Sequence, residues 1–215
     1  DALRPSNLIF ADVFQIALVN RVDKRLFDLL VSSLLLALAA PLMVCAALAV
    51  WLESRFAGPI LYRQTRVGFN GRSFEVIKFR SMRVDAEKDG KAVWAKQGDS
   101  RVTPVGAVMR DTRIDELPQL FNVLRGDMSF VGPRPERPQF VAELAKKLPF
   151  YTMRHMVKPG ITGWAQICFP YGASEEDARE KLEYDLYYIK NYSIFFDTVI
   201  LLQTVHTVFW GKGAH

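Results

Sequence analysis

The chain has 215 residues, of which 50% are hydrophobic, and Lys plus Arg outnumber Asp plus Glu by 28 to 23. This length allows one domain with a sizeable core and a membrane-embedded element, and it makes a second full domain unexpected. The basic balance suits nucleic acid, anionic lipid head groups or phosphorylated substrates equally well. The two cysteines, Cys45 and Cys168, exclude a disulfide framework and the usual zinc-ligand spacing, which fits a reducing, cytoplasm-facing compartment.

The first strong feature is an apolar segment. Residues 29–52 carry no charge, and a helix of this length would span a bilayer core. Hydropathy alone therefore favours a transmembrane helix. However, Pro41 follows Ala40 near the middle of the segment, where a proline removes a helix hydrogen bond and clashes with the preceding turn. Each half would then be roughly 16 to 18 Å long, about one leaflet, which suits a re-entrant hairpin with its break at Ala40 and Pro41.

Basic residues flank the apolar segment on both sides and favour the cytoplasmic face of a membrane. We therefore expect both ends of the segment on that face. A cleaved signal peptide is a weaker alternative, because the run is too long and starts too late. The flanking residues are Arg21, Lys24 and Arg25 before the segment, and Arg55, Arg63 and Arg66 after it.

A β-hairpin is predicted next. Asn70-Gly71 lies between the apolar runs 60–62 and 74–77, a strong signal for a tight turn between two strands. The return strand carries Lys78 and Arg80 on one face. Residues 85–97 then read as a solvated connection or a short helix, with no chemistry assigned.

Several helices are predicted from their caps. Thr103 before Pro104 begins a short helix, and Ser174 before three acidic residues begins a longer one. Between them, Pro118 and Gly126 bracket a short helix with leucines at helical spacing. The last apolar run, residues 199–210, is too short to span a membrane, and it is either an interfacial helix or a buried core helix.

The adjacent carboxylates Asp115 and Glu116 come just before Pro118. Free backbone N–H groups at a helix start stabilise negative charge, which would keep Asp115 ionised and would also attract phosphate. An ionised carboxylate beside a phosphate site could act as a nucleophile in phosphoryl or phosphosugar transfer. Repulsion between the two anions could be relieved by magnesium bound to carboxylate and diphosphate oxygens. A simple helix cap is the alternative, and spacing alone does not decide.

Basic side chains surround this pair along the sequence. Arg110 and Arg113 lie just upstream, and the rigid turn Gly132-Pro133-Arg134-Pro135 presents a guanidinium. Arg154 and Lys158 lead into residues 159–164, where glycines would let the backbone approach a ligand closely. Contact with lipid head groups is the alternative role for these cations. The common nucleotide-triphosphatase, dinucleotide and zinc-protease motifs are not found in the sequence.

Five motifs in the same order resemble the bacterial sugar transferases, the monotopic polyprenyl-phosphate phosphoglycosyl transferases. The resemblance covers nearly the whole chain from Lys24 onward. The motifs are Lys24-Arg25-Leu26-Phe27-Asp28, Lys78-Phe79-Arg80-Ser81-Met82, Asp115-Glu116-Leu117-Pro118-Gln119-Leu120, residues 126–135 and residues 158–166.

The resemblance implies a helix-rich α/β (α+β) fold. A re-entrant helix-break-helix would occupy residues 21–56, and a small cytoplasmic catalytic unit with interfacial amphipathic helices would occupy residues 57–215. Residues 1–20 resemble the connecting segment of longer members, so we expect the sequence to be a piece of a longer protein. Many family members carry Ser-Pro at the membrane break, whereas this chain has Ala40-Pro41.

The resemblance also implies a two-step reaction at the bacterial inner membrane, on its cytoplasmic face. Asp115 would attack the β-phosphate of a UDP-sugar, expel UMP and hold a phosphosugar that polyprenyl (undecaprenyl) phosphate then accepts. Glu116 would assist, and Mg²⁺ would bridge the diphosphate near Asp115. This would be the first membrane step in making a polysaccharide or glycoconjugate. Candidates for binding phosphate and head groups are Lys78, Arg80, Arg110, Arg134, Arg154 and Lys158.

The expected partners are therefore a UDP-sugar, polyprenyl phosphate and membrane lipids, without nucleic acid, and a homo-oligomer is left open. Two other classes of function compete with this interpretation. A membrane-anchored binding or scaffold module would use the same basic clusters without any reaction. A fragment of a polytopic transporter would place Lys24 and Arg63 on opposite sides of the membrane.

Overall fold

The computed structural model describes residues 18–56, 58–84, 86, 99–169 and 174–209. They form a helix-rich α/β arrangement with two small sheets, which agrees with the predicted fold class. The helices are α1 Leu18–Glu53, α2 Pro104–Asp111, α3 Gln119–Arg125, α4 Pro138–Lys147, α5 Trp164–Cys168, α6 Glu175–Lys190 and α7 Ile194–Phe209. The strands are β1 Leu61–Val67, β2 Ser73–Phe79, β3 Ser129–Val131 and β4 Gly160–Thr162.

Helix α1 is the apolar segment of the sequence, extended at its N-terminal end. Its backbone remains helical through Ala40 and Pro41, where the sequence predicted an interruption. A proline inside a helix costs one hydrogen bond without necessarily ending the helix. Among the described helices, α1 is the one long and apolar enough, by length and composition, to cross a membrane. The re-entrant course of the chain therefore stays a prediction.

The N-terminal end of α1 is fixed to the rest of the fold by polar side chains. Arg25 donates to the carbonyls of Val123 (2.6 Å) and Leu124 (2.7 Å), which lie in the last turn of α3. The Val123 carbonyl also accepts from the Gly126 amide at 3.0 Å, whereas the Leu124 carbonyl, at the end of the helix, takes the guanidinium as its partner. Asp28 accepts hydrogen bonds from the Ser129 hydroxyl and the Phe130 amide, both at 3.0 Å.

A buried ion pair joins α1 to α7. Lys24 bonds to the carboxylate of Asp197, and both side chains are almost fully buried. The Tyr188 hydroxyl of α6 donates to the same carboxylate at 2.8 Å and lies 3.1 Å from the carbonyl of Val131. We refer to Lys24, Asp28, Tyr188 and Asp197 as the α1 network. Its contacts connect α1, β3, α6 and α7.

The predicted hairpin is confirmed. Strands β1 and β2 pair antiparallel from Leu61 opposite Phe79 to Val67 opposite Ser73. The connection is a 3₁₀ turn in which Asn70 (φ 54°) and Gly71 (φ 74°) adopt left-handed backbone conformations. Asn and Gly are the residues that tolerate this conformation best, so the turn follows from the sequence.

The second sheet pairs β3 and β4 in parallel, with Ser129 opposite Gly160 and Val131 opposite Thr162. A Cβ atom on Gly132 would lie 2.3 Å from the carbonyl oxygen of Lys158, and one on Gly160 would lie 2.1 Å from the amide nitrogen of Gly132. A Cβ on Gly163 would likewise lie 2.2 Å from the carbonyl oxygen of Gly132. The expectation that Gly160 and Gly163 let the backbone approach a ligand therefore requires correction. Their close approach is to a neighbouring backbone, and it allows β3 and β4 to lie side by side.

The cap-based helix predictions are confirmed. The Thr103 hydroxyl accepts from the Gly106 amide at the start of α2, and Ser174 forms a capping box with Asp177 at the start of α6. Gly126 ends α3 with φ 92°. The main core, which includes Val131, Leu148, Leu186, Tyr188 and Ile200, lies between β3 and helices α4, α6 and α7.

Helix α7 combines the two alternatives that the sequence left open. Ile200 is fully buried in the main core, whereas Phe195 and Leu202 are 79% and 67% exposed. One face of the helix is therefore a core element, and the other is an apolar surface. The domain boundaries predicted at residues 20 and 56 stay predictions. The upstream segment to residue 17 and most of the connection predicted at residues 85–97 lie outside the described residues.

Candidate active site

A cleft of about 560 Å³ opens between the end of β2, α2, α4 and α6. Most of the residues predicted to bind phosphate face it, although they come from distant parts of the sequence. The hairpin, the turn before α3 and the segment after β3 bring them together. The predicted residues that line the cleft are Lys78, Arg80, Arg110, Asp115, Arg134 and Arg154.

The acidic pair, Asp115 and Glu116, lies on the 3₁₀ turn Ile114–Glu116, directly before α3. The chain enters this turn through Arg113, whose backbone is left-handed at φ 58°. Such a conformation is uncommon for a residue with a side chain, and it is often found where a fold must place a functional group. Both carboxylates are buried, with exposures of 7% and 9%.

Two cations contact one carboxylate oxygen of Glu116. The Lys78 ammonium donates to its Oε1 atom at 2.7 Å, and Nη2 of Arg134 donates to the same atom at 3.2 Å. Burial alone would raise the pKa of Glu116, but Lys78 and Arg134 outweigh burial and hold that pKa well below its usual range. Glu116 is therefore ionised and lies behind the cleft surface as the shared partner of two cations.

Asp115 differs from its neighbour. Its Oδ1 atom is buried and has no hydrogen-bond partner among the described residues. Burial raises the pKa of Asp115 and the charge of Glu116 raises it further, while Lys78, Arg110 and Arg113 oppose both effects. The sequence-based expectation that the helix start would favour the ionised form is therefore outweighed by burial. Asp115 thus lines the cleft with one buried carboxylate oxygen that has no partner among the described residues.

Arg134 joins two walls of the site. Its Nη1 atom donates to the side-chain oxygen of Gln166 at 2.9 Å, while Nη2 contacts Glu116. The turn that carries it lies against Gly160 and Gly163, because a Cβ on Gly163 would be 2.2 Å from the Gly132 carbonyl oxygen. The side chain is therefore held at both its backbone and its guanidinium.

Arg154 lies deeper than the other predicted cations. It is 7% exposed and donates to Asp185 (2.8 Å), to the Tyr151 hydroxyl (2.7 Å) and to the carbonyl oxygen of Arg134 (2.9 Å). Asp185 and Tyr151 raise the pKa of Arg154 and outweigh the opposing effect of burial. The guanidinium thus supports the backbone of the turn that presents Arg134.

The other predicted cations occupy different positions. Nε of Arg110 donates to the Ser81 hydroxyl at 3.1 Å, which fixes it beside the end of β2. Lys158 does not line the cleft. Its ammonium lies near Gly126 and Arg25 instead, because a Cβ on Gly126 would be 3.4 Å from Nζ of Lys158 and 3.5 Å from Nη2 of Arg25.

Two residues that position helices α3 and α2 against β2 were not identified from the sequence. Asn122 is fully buried, accepts from the Ile77 amide (3.0 Å) and donates to the Glu75 carbonyl (2.7 Å). These two hydrogen bonds join α3 to β2. A polar side chain on the apolar face of α3 was the feature of the sequence that could have identified Asn122. Gly106 allows α2 to lie against β2's end, because a Cβ there would be 2.1 Å from the Ser81 carbonyl oxygen.

A model of the bacterial sugar transferase family matches residues 19–211. The chain belongs to this family. A curated relative from Aeromonas hydrophila, named UDP-N-acetylgalactosamine-undecaprenyl-phosphate N-acetylgalactosaminephosphotransferase, is 49% identical over 191 residues, which cover 89% of this chain and 44% of the relative. The match therefore spans less than half of that protein's length.

Two further relatives are named UDP-glucose:undecaprenyl-phosphate glucose-1-phosphate transferase. The protein from Escherichia coli (strain K12) is 45% identical over 199 residues, covering 92% of this chain and 42% of the relative. The protein from Caulobacter vibrioides is 44% identical over 195 residues, covering 89% of this chain and 72% of the relative. The names of the three relatives therefore give two different sugars, N-acetylgalactosamine and glucose.

Proposed function

We propose that this chain transfers a sugar 1-phosphate from a UDP-sugar to undecaprenyl phosphate, releasing UMP, as the first membrane step in making a polysaccharide or glycoconjugate. The names of the relatives support the donor and acceptor classes. Because those names include both N-acetylgalactosamine and glucose, the sugar is left open. The observation that carries the proposal is the unpaired, buried Oδ1 atom of Asp115 in a cleft lined by cations.

We assign the nucleophile to Asp115 because its Oδ1 atom is unpaired, whereas Glu116 is paired with two cations. A carboxylate oxygen of Asp115 attacks the β-phosphorus of the donor, the bond to the α-phosphate oxygen breaks, and UMP leaves with that electron pair. An oxygen of undecaprenyl phosphate then attacks the same phosphorus. The bond to Asp115 breaks, which regenerates the carboxylate and yields the lipid diphosphate sugar.

Glu116 is proposed to position cations and not to accept protons. A group whose pKa is held low by two cations is a weak base near neutral pH. Its carboxylate instead keeps Lys78 and Arg134 beside Asp115, where both can contact phosphate oxygens of the donor. Ser81 holds Arg110 on the adjacent wall.

Magnesium fits this site with Asp115 as its protein ligand. The described residues contain no group of three or more metal-binding side chains, but Mg²⁺ is commonly held by one or two carboxylates together with substrate phosphates and waters. The unpaired Oδ1 atom of Asp115 suits that role, whereas Glu116 is occupied by its cations. Bound there, the cation would neutralise charge on the diphosphate.

We also propose that α1 is re-entrant and holds the catalytic unit at the cytoplasmic face of the inner membrane. Arg25 near the start of α1 bonds to α3, and Glu53 at its end accepts from the Val105 amide of α2 at 2.9 Å, so both ends contact the same folded unit. Between them, Leu30 and Leu38 are 73% and 69% exposed, as a lipid-facing surface requires. The apolar face of α7 would lie in the interface.

Labelling of single cysteines tests this topology. With Cys45 and Cys168 replaced, a cysteine at Asp23 and one at Arg63 should react with a membrane-impermeant maleimide from the same side of sealed vesicles. Reaction from opposite sides would mean that α1 spans the membrane, and it would overturn the re-entrant proposal.

Release of UMP tests the reaction. Protein in nanodiscs is supplied with undecaprenyl phosphate, Mg²⁺ and a panel of UDP-sugars, and Asp115→Asn is compared with the wild type. UMP release should depend on one or a few donors and should fall at least about 10³-fold in the variant, because the covalent route is lost.

Asp111→Asn is the matched control, since it makes the same change on an exposed aspartate at the end of α2. It should leave UMP release within about twofold of the wild type, the usual range for a surface substitution. A scaffold would release no UMP with any donor. Equal turnover by Asp115→Asn and the wild type would remove Asp115 from the reaction.

A further inference from the structure

The two ends of the cleft differ in charge. One end, here called the arginine end, is formed by the segment after β2, α2 and the turn that follows α2. Its charged lining is entirely cationic, although Asp99 neutralises Arg101 through a 2.5 Å ion pair. Such an end suits an anionic group. The cations are Arg80, Arg83, Arg101, Arg110 and Arg113.

The opposite end, here called the helix end, lies between α4 and α6, and acidic side chains offset most of its cations. Lys147 pairs with Glu175 at 2.6 Å across the two helices. Phe140 and Phe169 add aromatic surface, and the Lys181 ammonium lies 5.7 Å from the Phe169 ring centroid. Its cations are Arg66, which pairs with Glu136, and Arg137, Lys147, Arg154 and Lys181, and its acids are Glu136, Glu143, Glu175 and Asp185.

An aromatic surface on which acids offset most of the cations suits rings that carry no charge. Uracil and sugar rings both pack on aromatic faces, and stacking of a base on an aromatic side chain contributes to affinity without sequence-specific hydrogen bonds. A phosphate would gain less there than at the arginine end, because four acids of the helix end oppose its five cations.

The arginine end also adjoins the end of the membrane helix. Gly58 follows α1 closely, and a Cβ on it would lie 2.5 Å from Nη1 of Arg80 and 3.0 Å from Cγ2 of Val84. Val84 and Phe56 are 68% and 61% exposed. Guanidinium groups and exposed apolar side chains therefore lie together where the chain leaves α1. This combination matches a phosphate attached to a hydrocarbon chain.

We infer that the arginine end receives the phosphate of the lipid acceptor, and that the helix end holds the uridine and sugar of the donor. Asp115 lies within electrostatic reach of Arg110 and Arg113 at the arginine end. Lys78 and Arg134 share its neighbour Glu116, and the Arg134 carbonyl accepts from Arg154 of the helix end. We therefore expect the two substrates to reach Asp115 from opposite directions. The inference rests on the proposed function and adds a separate binding surface for each substrate.

The two half-reactions separate the surfaces. Without acceptor, the wild type should release UMP in a burst of about one molecule per enzyme. The donor concentration that gives half the maximal burst rate then measures how well the helix end binds the donor. With acceptor, steady-state turnover gives KM for undecaprenyl phosphate. Arg83→Gln should raise that KM roughly fivefold, the upper range for an exposed ion pair, and should leave the donor dependence of the burst unchanged.

Phe169→Ala should give the reverse pattern. The donor concentration for half the maximal burst rate and the dissociation constant of UMP, measured by titration calorimetry, should both rise about tenfold through lost stacking. Acceptor KM should stay the same. Lys181→Gln provides a second variant at the same ring, in case the alanine variant does not fold.

Arg63→Gln is the matched control for Arg83→Gln. It removes an exposed arginine that pairs with Glu75 outside the cleft, so it should change neither substrate's dependence. No burst from the wild type would contradict the proposed function itself. A normal burst with no change of acceptor KM in Arg83→Gln, or with no change of donor dependence in both helix-end variants, would overturn this assignment alone.

Discussion

The α1 network and the acidic pair both bury carboxylates, but they differ in how completely those charges are paired. In the α1 network, Asp197 bonds to Lys24 and Tyr188, and Asp28 accepts two hydrogen bonds. In the acidic pair, Glu116 has two cations, whereas the Oδ1 atom of Asp115 has no partner among the described residues. A buried carboxylate that is paired holds elements of the fold together, whereas a buried carboxylate oxygen without a partner is available for chemistry.

The largest effect on stability is expected in the α1 network. Lys24→Met would leave Asp197 buried without its cation, which should lower the free energy of unfolding by about 3 to 5 kcal/mol. Chemical denaturation in detergent micelles measures this loss. The double variant Lys24→Met with Asp197→Asn should recover part of it, because no charge is then left unpaired. A single variant as stable as the wild type would show that the ion pair is not structural.

Glu116→Gln should lower turnover roughly 10- to 100-fold, within the range expected when preorganised electrostatic contacts to a reacting group are weakened. Lys78 and Arg134 would lose the charge that holds them beside Asp115. The pH dependence of turnover should keep its acid limb, since that limb reports ionisation of Asp115. Loss of the acid limb in this variant would instead assign proton transfer to Glu116.

Asn122→Ala should lower the free energy of unfolding by about 1 to 3 kcal/mol, because the buried Ile77 amide loses its acceptor. Turnover should fall as well, because the hydrogen bonds of Asn122 fix α3 against β2 and so set the distance from Lys78 to Glu116. Asn122→Asp keeps an acceptor for the Ile77 amide but loses the donor to the Glu75 carbonyl, so it should also be destabilised. Unchanged stability of the alanine variant would show that Asn122 does not hold the two elements together.

The smallest expected effect is a gain in stability rather than a loss. The pKa of Asp115 is raised above its ordinary value of 3.8, so the folded state is penalised once Asp115 ionises. This contribution to stability is present at low pH and is lost as pH rises from 3.8 through the raised pKa. At neutral pH, Asp115→Asn should therefore match or exceed the wild type by about 1 kcal/mol in unfolding free energy. A marked loss of stability would mean that the carboxylate is structurally paired.

Features encoded by neighbouring residues could be predicted from the sequence. Asn70-Gly71 determines the hairpin turn, Thr103 and Ser174 cap their helices, and Gly126 ends α3, each through local backbone chemistry. The acidic pair and most of the surrounding cations could likewise be identified as a group from motifs in order along the chain.

Features that depend on distant contacts could not be predicted. Strands β3 and β4 have three residues each, too few for a periodic pattern, and they pair only because Gly132 and Gly160 allow close approach. Whether a cation faces the cleft also depends on folding. Arg154 lies beneath the turn that carries Arg134, and Lys158 lies beside Arg25, although the sequence predicted phosphate binding for all three.

Capture of the covalent intermediate tests the central claim most directly. Wild-type protein is incubated with its donor and Mg²⁺ but without undecaprenyl phosphate, quenched, and analysed by intact mass and peptide mapping. We expect an added mass of one phosphosugar on the peptide that contains Asp115, its loss when acceptor is supplied, and no such mass in Asp115→Asn. Turnover without any adduct, or an adduct located on Glu116, would contradict Asp115 as the nucleophile.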